Sequence, residues 1–116
     1  MKMKISYVKS EIITENPHKI DARKLYDHDN AQAVHITFAP GESLKPHITP
    51  VDVFFYILEG EVEVMVGEET QKVAQDCLIE SPKDIVHCLS NNSGAVARVL
   101  VVKAPKPTSG PKILEK

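Results

Sequence analysis

The chain has 116 residues, five histidines, two cysteines and a formal net charge of −2, with 42% apolar and 26% charged residues. That length suits one domain, and the near-neutral balance excludes recognition of nucleic acid or an anionic membrane through bulk charge. No run reaches the roughly 18 apolar residues of a membrane helix, no secretory signal is expected from the interrupted start, and Cys77 and Cys88 are too few for a disulfide framework, so a cytoplasmic protein with reduced, buried thiols is expected.

Residues 1–30 read as a polar N-terminal arm with short apolar pieces, Ile12-Ile13 and Leu25-Tyr26 among them. Within it, Ile5 to Ile13 is expected as an edge strand at a dimer interface, and His18 and His28 are expected to be exposed. The lysines that recur near both ends read as solvated. Residues 31–103 are strand-rich. Val34–Phe38 is a short strand, and Pro40-Gly41 ends it. Val53–Leu58 is a continuous β-branched and aromatic run, as in a strand covered on both faces. Glu59-Gly60 is expected as a tight hairpin leading into Val62–Val66, where the valines fall on one face and Glu61, Glu63 and Met65 on the other. Gly67-Glu68-Glu69 and Asn91–Gly94 are expected as further hairpins, and Ala95–Val102 as the last long strand. Residues 104–116, with Pro105, Pro107, Gly110 and Pro111, read as an irregular C-terminal tail. Short strands with a turn about every ten residues predict an all-β sandwich or barrel, and no room remains for the crossover helices of an α/β fold.

Two stretches carry a family resemblance. Gly41, His47 and Gly60, with the ending Tyr56-Ile57-Leu58-Glu59-Gly60, match G-x5-H-x-H-x3-E-x6-G. Pro82, His87 and Asn91 match G-x5-P-x-G-x2-H-x3-N, with Asp84 at its second glycine. Together they resemble the two motifs of the cupins over about residues 32–103. The resemblance implies a jelly-roll barrel of two antiparallel sheets with Greek-key connections. It also implies an interior pocket and a homodimer, for which Phe54, Tyr56 and Leu58 on the face opposite His47 supply an apolar patch.

In that family two histidines and a glutamate of the first motif and a histidine of the second hold a divalent metal. Here Thr49 and Val53 stand at the second-histidine and glutamate positions, leaving His47 and His87. Residues two apart on a strand share a face, so His47, Thr49, Val53, Phe55 and Ile57 are expected inside together, unless a bulge at Pro50 shifts the register. The expected pocket is lined by Thr49, Val53, Phe55 and His35 around the pair. Imidazole suits transition metals, and Zn, Fe, Mn, Ni or Cu on His47 and His87 is one reading, with His35 or Asp52 as the third ligand that such sites need. The other keeps the histidines as hydrogen-bonding groups facing a small-molecule ligand. Three functions therefore stay open: a metal-dependent enzyme on a small metabolite, a non-catalytic binding or sensing module, and a structural dimer with a vestigial pocket. The cysteines lack a histidine base on their face, the serines form no triad pattern, and the single glycines make no phosphate loop. Asp76, Glu80 and Asp84 read as a solvated acidic loop.

Overall fold

The computed structural model describes residues 1–114. Its strands are β1 (Asp21–His28), β2 (Ala31–Phe38), β3 (His47–Ile48), β4 (Asp52–Glu59), β5 (Glu61–Val66), β6 (Glu69–Ala74), β7 (Leu78–Ser81), β8 (Val86–Ser90), β9 (Ala97–Ala104) and β10 (Lys112–Ile113). They form two five-stranded sheets, in the orders β1-β2-β9-β4-β7 and β10-β3-β8-β5-β6. Every pairing is antiparallel. This is the expected all-β jelly roll, and the core lies between the sheets.

The inward face follows the strand period. On β4, Val53, Phe55 and Ile57 are buried, and on β5 Val62 and Val64 join them. On β9 Ala97, Val99 and Val101 repeat the pattern. Fourteen buried apolar residues make one cluster, which is how two sheets remove their apolar faces from water.

Among the described residues only two connections are hairpins. β1 returns into β2 through Asp29-Asn30, and β5 into β6 through Gly67-Glu68. The Glu59-Gly60 and Asn91–Gly94 turns, expected as hairpins, instead carry the chain from one sheet to the other, because β4 and β9 lie in the first sheet and β5 and β8 in the second. A two-residue turn fixes a change of direction but not the sheet into which the chain returns. At Gly60 the reason for glycine is visible. Its φ is +82°, and a Cβ there would meet the Val96 carbonyl oxygen at 2.8 Å. Two left-handed positions are filled by aspartates: Asp76 (φ 69°) and Asp84 (φ 65°) sit where the second motif has glycines. Aspartate is among the few other residues that adopt this region readily.

Both ends differ from expectation. Ile5–Ile13 is not a strand; it holds a short 3-10 turn, Val8–Ser10, while Met1, Met3, Ile5, Tyr7, Ile12 and Ile13 are exposed. The edge strand is β1, further along, where Ala22 alone is buried. Its charged sequence is what a sheet edge carries to deter further pairing, and it hides the period that would reveal it. At the other end Lys112–Ile113 leaves the irregular tail to pair with β3. Cys77, expected buried, is exposed.

Gly60→Ala should destabilise the fold by about 3 kcal/mol through strain and collision. Gly41→Ala, also at positive φ (+88°) but facing open space, should cost about 1 kcal/mol. Denaturant unfolding of the two variants measures the difference.

Candidate functional site

His47 and His87 are directly opposite each other on β3 and β8, and the inward parity brings both side chains into the barrel. They are 6% and 2% exposed. Their Nε2 atoms lie 3.1 Å apart, with the rings edge to face at 4.4 Å. The parity argued from sequence holds without a shift at Pro50: Thr49, Val53 and Phe55 are buried with them. Thr49 Oγ1 is 3.2 Å from His87 Nε2, Phe55 packs edge-on against the His87 ring, and Val53 supplies apolar wall.

The hydrogen bonds decide the tautomers. His47 Nδ1 lies 2.7 Å from the Lys45 carbonyl oxygen, which can only accept. Its Nδ1 therefore carries the proton, and its Nε2 is an open lone pair aimed at His87. For His87 Nε2 to bond to that lone pair it must carry its own proton, so His87 Nδ1 accepts from the Ser81 hydroxyl at 2.7 Å. Ser81, 1% exposed on β7, thus reaches across from the other sheet to set this ring. Both rings are neutral. Burial, and then the charges of His47, Lys103 and His18, push His87 down to about 3. His47 is also lowered, mainly by burial, against the opposing effect of its Lys45 bond.

A third histidine, expected to be exposed, is at the site. Asn16 organises the Thr14–Ile20 turn: its amide donates to the Thr14 and Ile20 carbonyls at 2.8 and 2.9 Å and its oxygen accepts from the His18 N–H at 3.1 Å. The turn sets the His18 ring 5.0 Å from that of His47. Its Nδ1 accepts the Lys45 backbone N–H at 2.8 Å. Burial, then His47, Lys45 and Lys103, lower it to about 4. No motif marks His18; the Asn-Pro-His stretch that shapes its turn is the only local signal.

Two expected participants are elsewhere. His35 lies on the opposite face of β2 from Val34 and Ile36, buried, with Arg98 donating to its Nε2 at 3.0 Å. It does not line the pocket; β2 turns its even-numbered residues inward. Asp52 is exposed and its carboxylate accepts the Lys83 N–H at 2.8 Å, so it is no third ligand. His28 is exposed, as expected, and so are Asp76, Glu80 and Asp84.

A cavity of about 480 Å³ opens over the histidines, walled by Ile20, Val34, Ile36, Val53, Phe55 and Val101. For a resident metal the donors are well oriented but too few. His47 and His87 both bond outward through Nδ1 and face inward through Nε2; His47 already has its inward lone pair, and His87 would gain one by moving its proton to Nδ1 and donating it to the Ser81 hydroxyl. Protein-held catalytic ions take three such donors. Thr49 adds a neutral hydroxyl, Val53 nothing. His18, whose Nδ1 accepts a hydrogen bond, must carry its proton on Nε2 when neutral and so has no inward lone pair. Among the described residues no group of three His, Cys, Asp or Glu side chains is placed to hold a metal ion. The set is incomplete from protein alone.

This two-sheet barrel with histidines inside its mouth is a double-stranded β-helix. The cupin domain family matches residues 34–103, and the chain belongs to that family. It is 32% identical over 80 residues to the tetracenomycin polyketide synthase protein TcmJ of Streptomyces glaucescens, a match covering 66% of this chain and 54% of that protein; the chain spans about half the length of this curated relative. Among solved structures, TT1209 from Thermus thermophilus is 32% identical, with a TM-score of 0.78 over 90% of this chain and all of the other. The polyketide cyclase RemF from Streptomyces resistomycificus shares the fold, with a TM-score of 0.83 at 22% identity over 99% of this chain and 87% of that one. Among the described residues no helix is long and apolar enough to cross a membrane.

Because His87 and His18 are lowered in the fold, the unfolded chain binds more protons between their folded values, about 3 and about 4, and the ordinary histidine range near 6.5. Their contribution to stability is whole above that range and is lost as pH falls through it. The melting temperature should therefore drop between pH 7 and pH 4, and His87→Asn should show a shallower drop than the parent in parallel thermal scans.

Proposed function

We propose that this cupin takes a small, flat, largely apolar metabolite into the barrel mouth and that His47 and His87 move a proton at a carbonyl-bearing carbon of it. The observation that carries the reading is the pair itself: two buried neutral imidazoles, one presenting a lone pair and the other an N–H, at the floor of an apolar cavity. In this reading the substrate's carbonyl oxygen accepts the His87 N–H in place of His47, the freed His47 Nε2 lone pair takes the α-proton, and the His47 imidazolium then returns it to carbon. Pockets for small molecules have this make-up, mostly apolar with a few placed polar groups. The names of the relatives, a polyketide synthase protein and a polyketide cyclase, support ring-forming or ring-bearing carbonyl compounds as the class.

The test uses 1-tetralone as probe, with exchange of its α-hydrogens for deuterium followed by NMR. Saturable acceleration is expected, falling about 100-fold in His47→Ala while the probe still binds. Binding without exchange would leave a non-catalytic binding module; no binding would sink the reading.

A second reading has its own observation. The 3.1 Å between the two Nε2 atoms is the span of two adjacent nitrogens each about 2.1 Å from one ion. In this reading Zn, Fe, Mn, Ni or Cu sits on His47 and His87 and the ligand completes its shell. Elemental analysis of untagged protein separates the two: near one metal per chain, absent from His47→Ala, favours the ion, and none after reloading favours the proton pair.

We also propose that the chain acts as a homodimer in the cytoplasm. The exposed apolar side chains of the arm, Met3, Ile5, Tyr7 and Ile12 among them, and the half-buried Phe54, Tyr56 and Leu58 on the outer face of the first sheet support a second copy as their cover. The exposed Cys77 thiol suits a reducing compartment. Light scattering should give twice the chain mass, and deletion of residues 1–7 should shift it towards the monomer.

A further inference from the structure

The inward face of β9 runs Ala97, Val99, Val101 and then Lys103. The first three are buried in the core. The fourth continues the same face into the cavity that holds the histidines, where Lys24 of β1 also lines the wall. A lysine at the end of a core stripe is out of place unless something answers its charge. Among the described residues, Lys103 is part of no ion pair, and Asp27 is engaged with Lys106 at 2.8 Å and with Lys24 at 3.9 Å. Its strand neighbours across the ladder are Gln32 and Val53, both without charge. Among the described residues the one carboxylate on the cavity wall is Glu15, which is exposed on the arm.

We propose that Lys103 is the anchor for an anionic head group, and that the metabolite taken by this pocket is a carboxylate with a largely apolar ring or chain body. The inference rests on the binding pocket proposed above and adds the charge of its occupant. Lys103 is half-buried; an ammonium partly withdrawn from water with no partner carries a desolvation cost, and a bound carboxylate offsets it by a charge-assisted hydrogen bond. Burial, and then the charge of Lys24, already hold the Lys103 ammonium below its ordinary value, which agrees with a group waiting for a counter-charge. The same charge lowers all three histidines, so an anion seated on Lys103 would also ease the field at the proton pair. The walls also carry Lys24, Gln32, Thr108 and Ser109; a carboxylate is chosen over a phosphate because the single ammonium of Lys103 matches its single charge, Lys24 being already beside Asp27 at 3.9 Å.

The experiment compares 2-naphthoate, its uncharged isostere 2-naphthamide and 2-naphthyl phosphate by fluorescence titration of the full chain. 2-Naphthoate is expected to bind about tenfold tighter than the amide, a difference near 1.4 kcal/mol, and tighter than the phosphate. Lys103→Met should erase that preference while keeping amide binding, and Lys103→Arg should retain it. Equal binding of naphthoate and amide by the parent protein would overturn the anchor and leave the pocket reading standing. Failure of all three probes to bind would overturn both. A preference for the phosphate would overturn the carboxylate assignment. The parent-protein comparison decides the matter even if a variant fails to fold.

Discussion

The long strands of this barrel have one face on a shared interior, and the chain changes sheet at most of its turns. The inward parity must therefore survive each crossing, or a whole strand would present its polar face to the core. From His47 to Ile57 it does: the chain leaves β3 in one sheet, enters β4 in the other, and His47, Thr49, Val53, Phe55 and Ile57 all remain inside. At Gly60 the next crossing passes so close to Val96 that there is no space for a side chain. The site depends on this constraint directly. His47 comes from one crossing segment and His87 from another, and only the preserved parity lets β3 and β8 set them face to face.

Once the histidines are inside, burial determines their chemistry. It is the leading cause of the lowered value at His18, His47 and His87 alike. A charged imidazolium there would lose its hydration and also meet Lys103. The outward bonds to Lys45 and Ser81 then sort the neutral rings into one acceptor and one donor. Ser81 belongs to the opposite sheet, so the donor character of His87 is a product of sheet packing rather than of its own strand.

What was legible in the sequence follows from these same causes. The alternation of Val62, Val64 and Val66 and the apolar run of β4 reveal their strands because burial acts on them residue by residue. Once the family motif sets His47 inside, the positions of Thr49, Val53 and Phe55 follow from parity, since no bulge at Pro50 shifts the register. β1 was not legible, because a charged edge strand with one buried residue has no apolar period to read. The sheet-changing turns look like hairpins because turn residues encode a reversal, not a destination. His35 is buried, yet on the wrong face, since a strand flanked by packing on both sides gives no sign of which parity faces the cavity. His18 was missed for the opposite reason: it belongs to an irregular arm whose fold depends on Asn16 and on the long-range bond to Lys45.

The altered ligand positions and the inward lysine are better understood together than apart. A family site with histidines and a glutamate concentrates donors and negative charge for a cation. Here Val53 removes the anion, Thr49 removes a nitrogen, and Lys103 adds a positive charge to the same cavity. Each change alone would weaken a dication site; in combination they reverse the sign of the field that a ligand meets. Lys103 pairs across the ladder with Val53, the position where the glutamate would stand. A glutamate there would have been a natural partner for that ammonium. With valine in its place the ammonium is left to the cavity, and the histidines, held neutral, add no opposing negative charge. The pocket that results is suited to an anion lying on an apolar wall, with a proton donor and a proton acceptor at its floor.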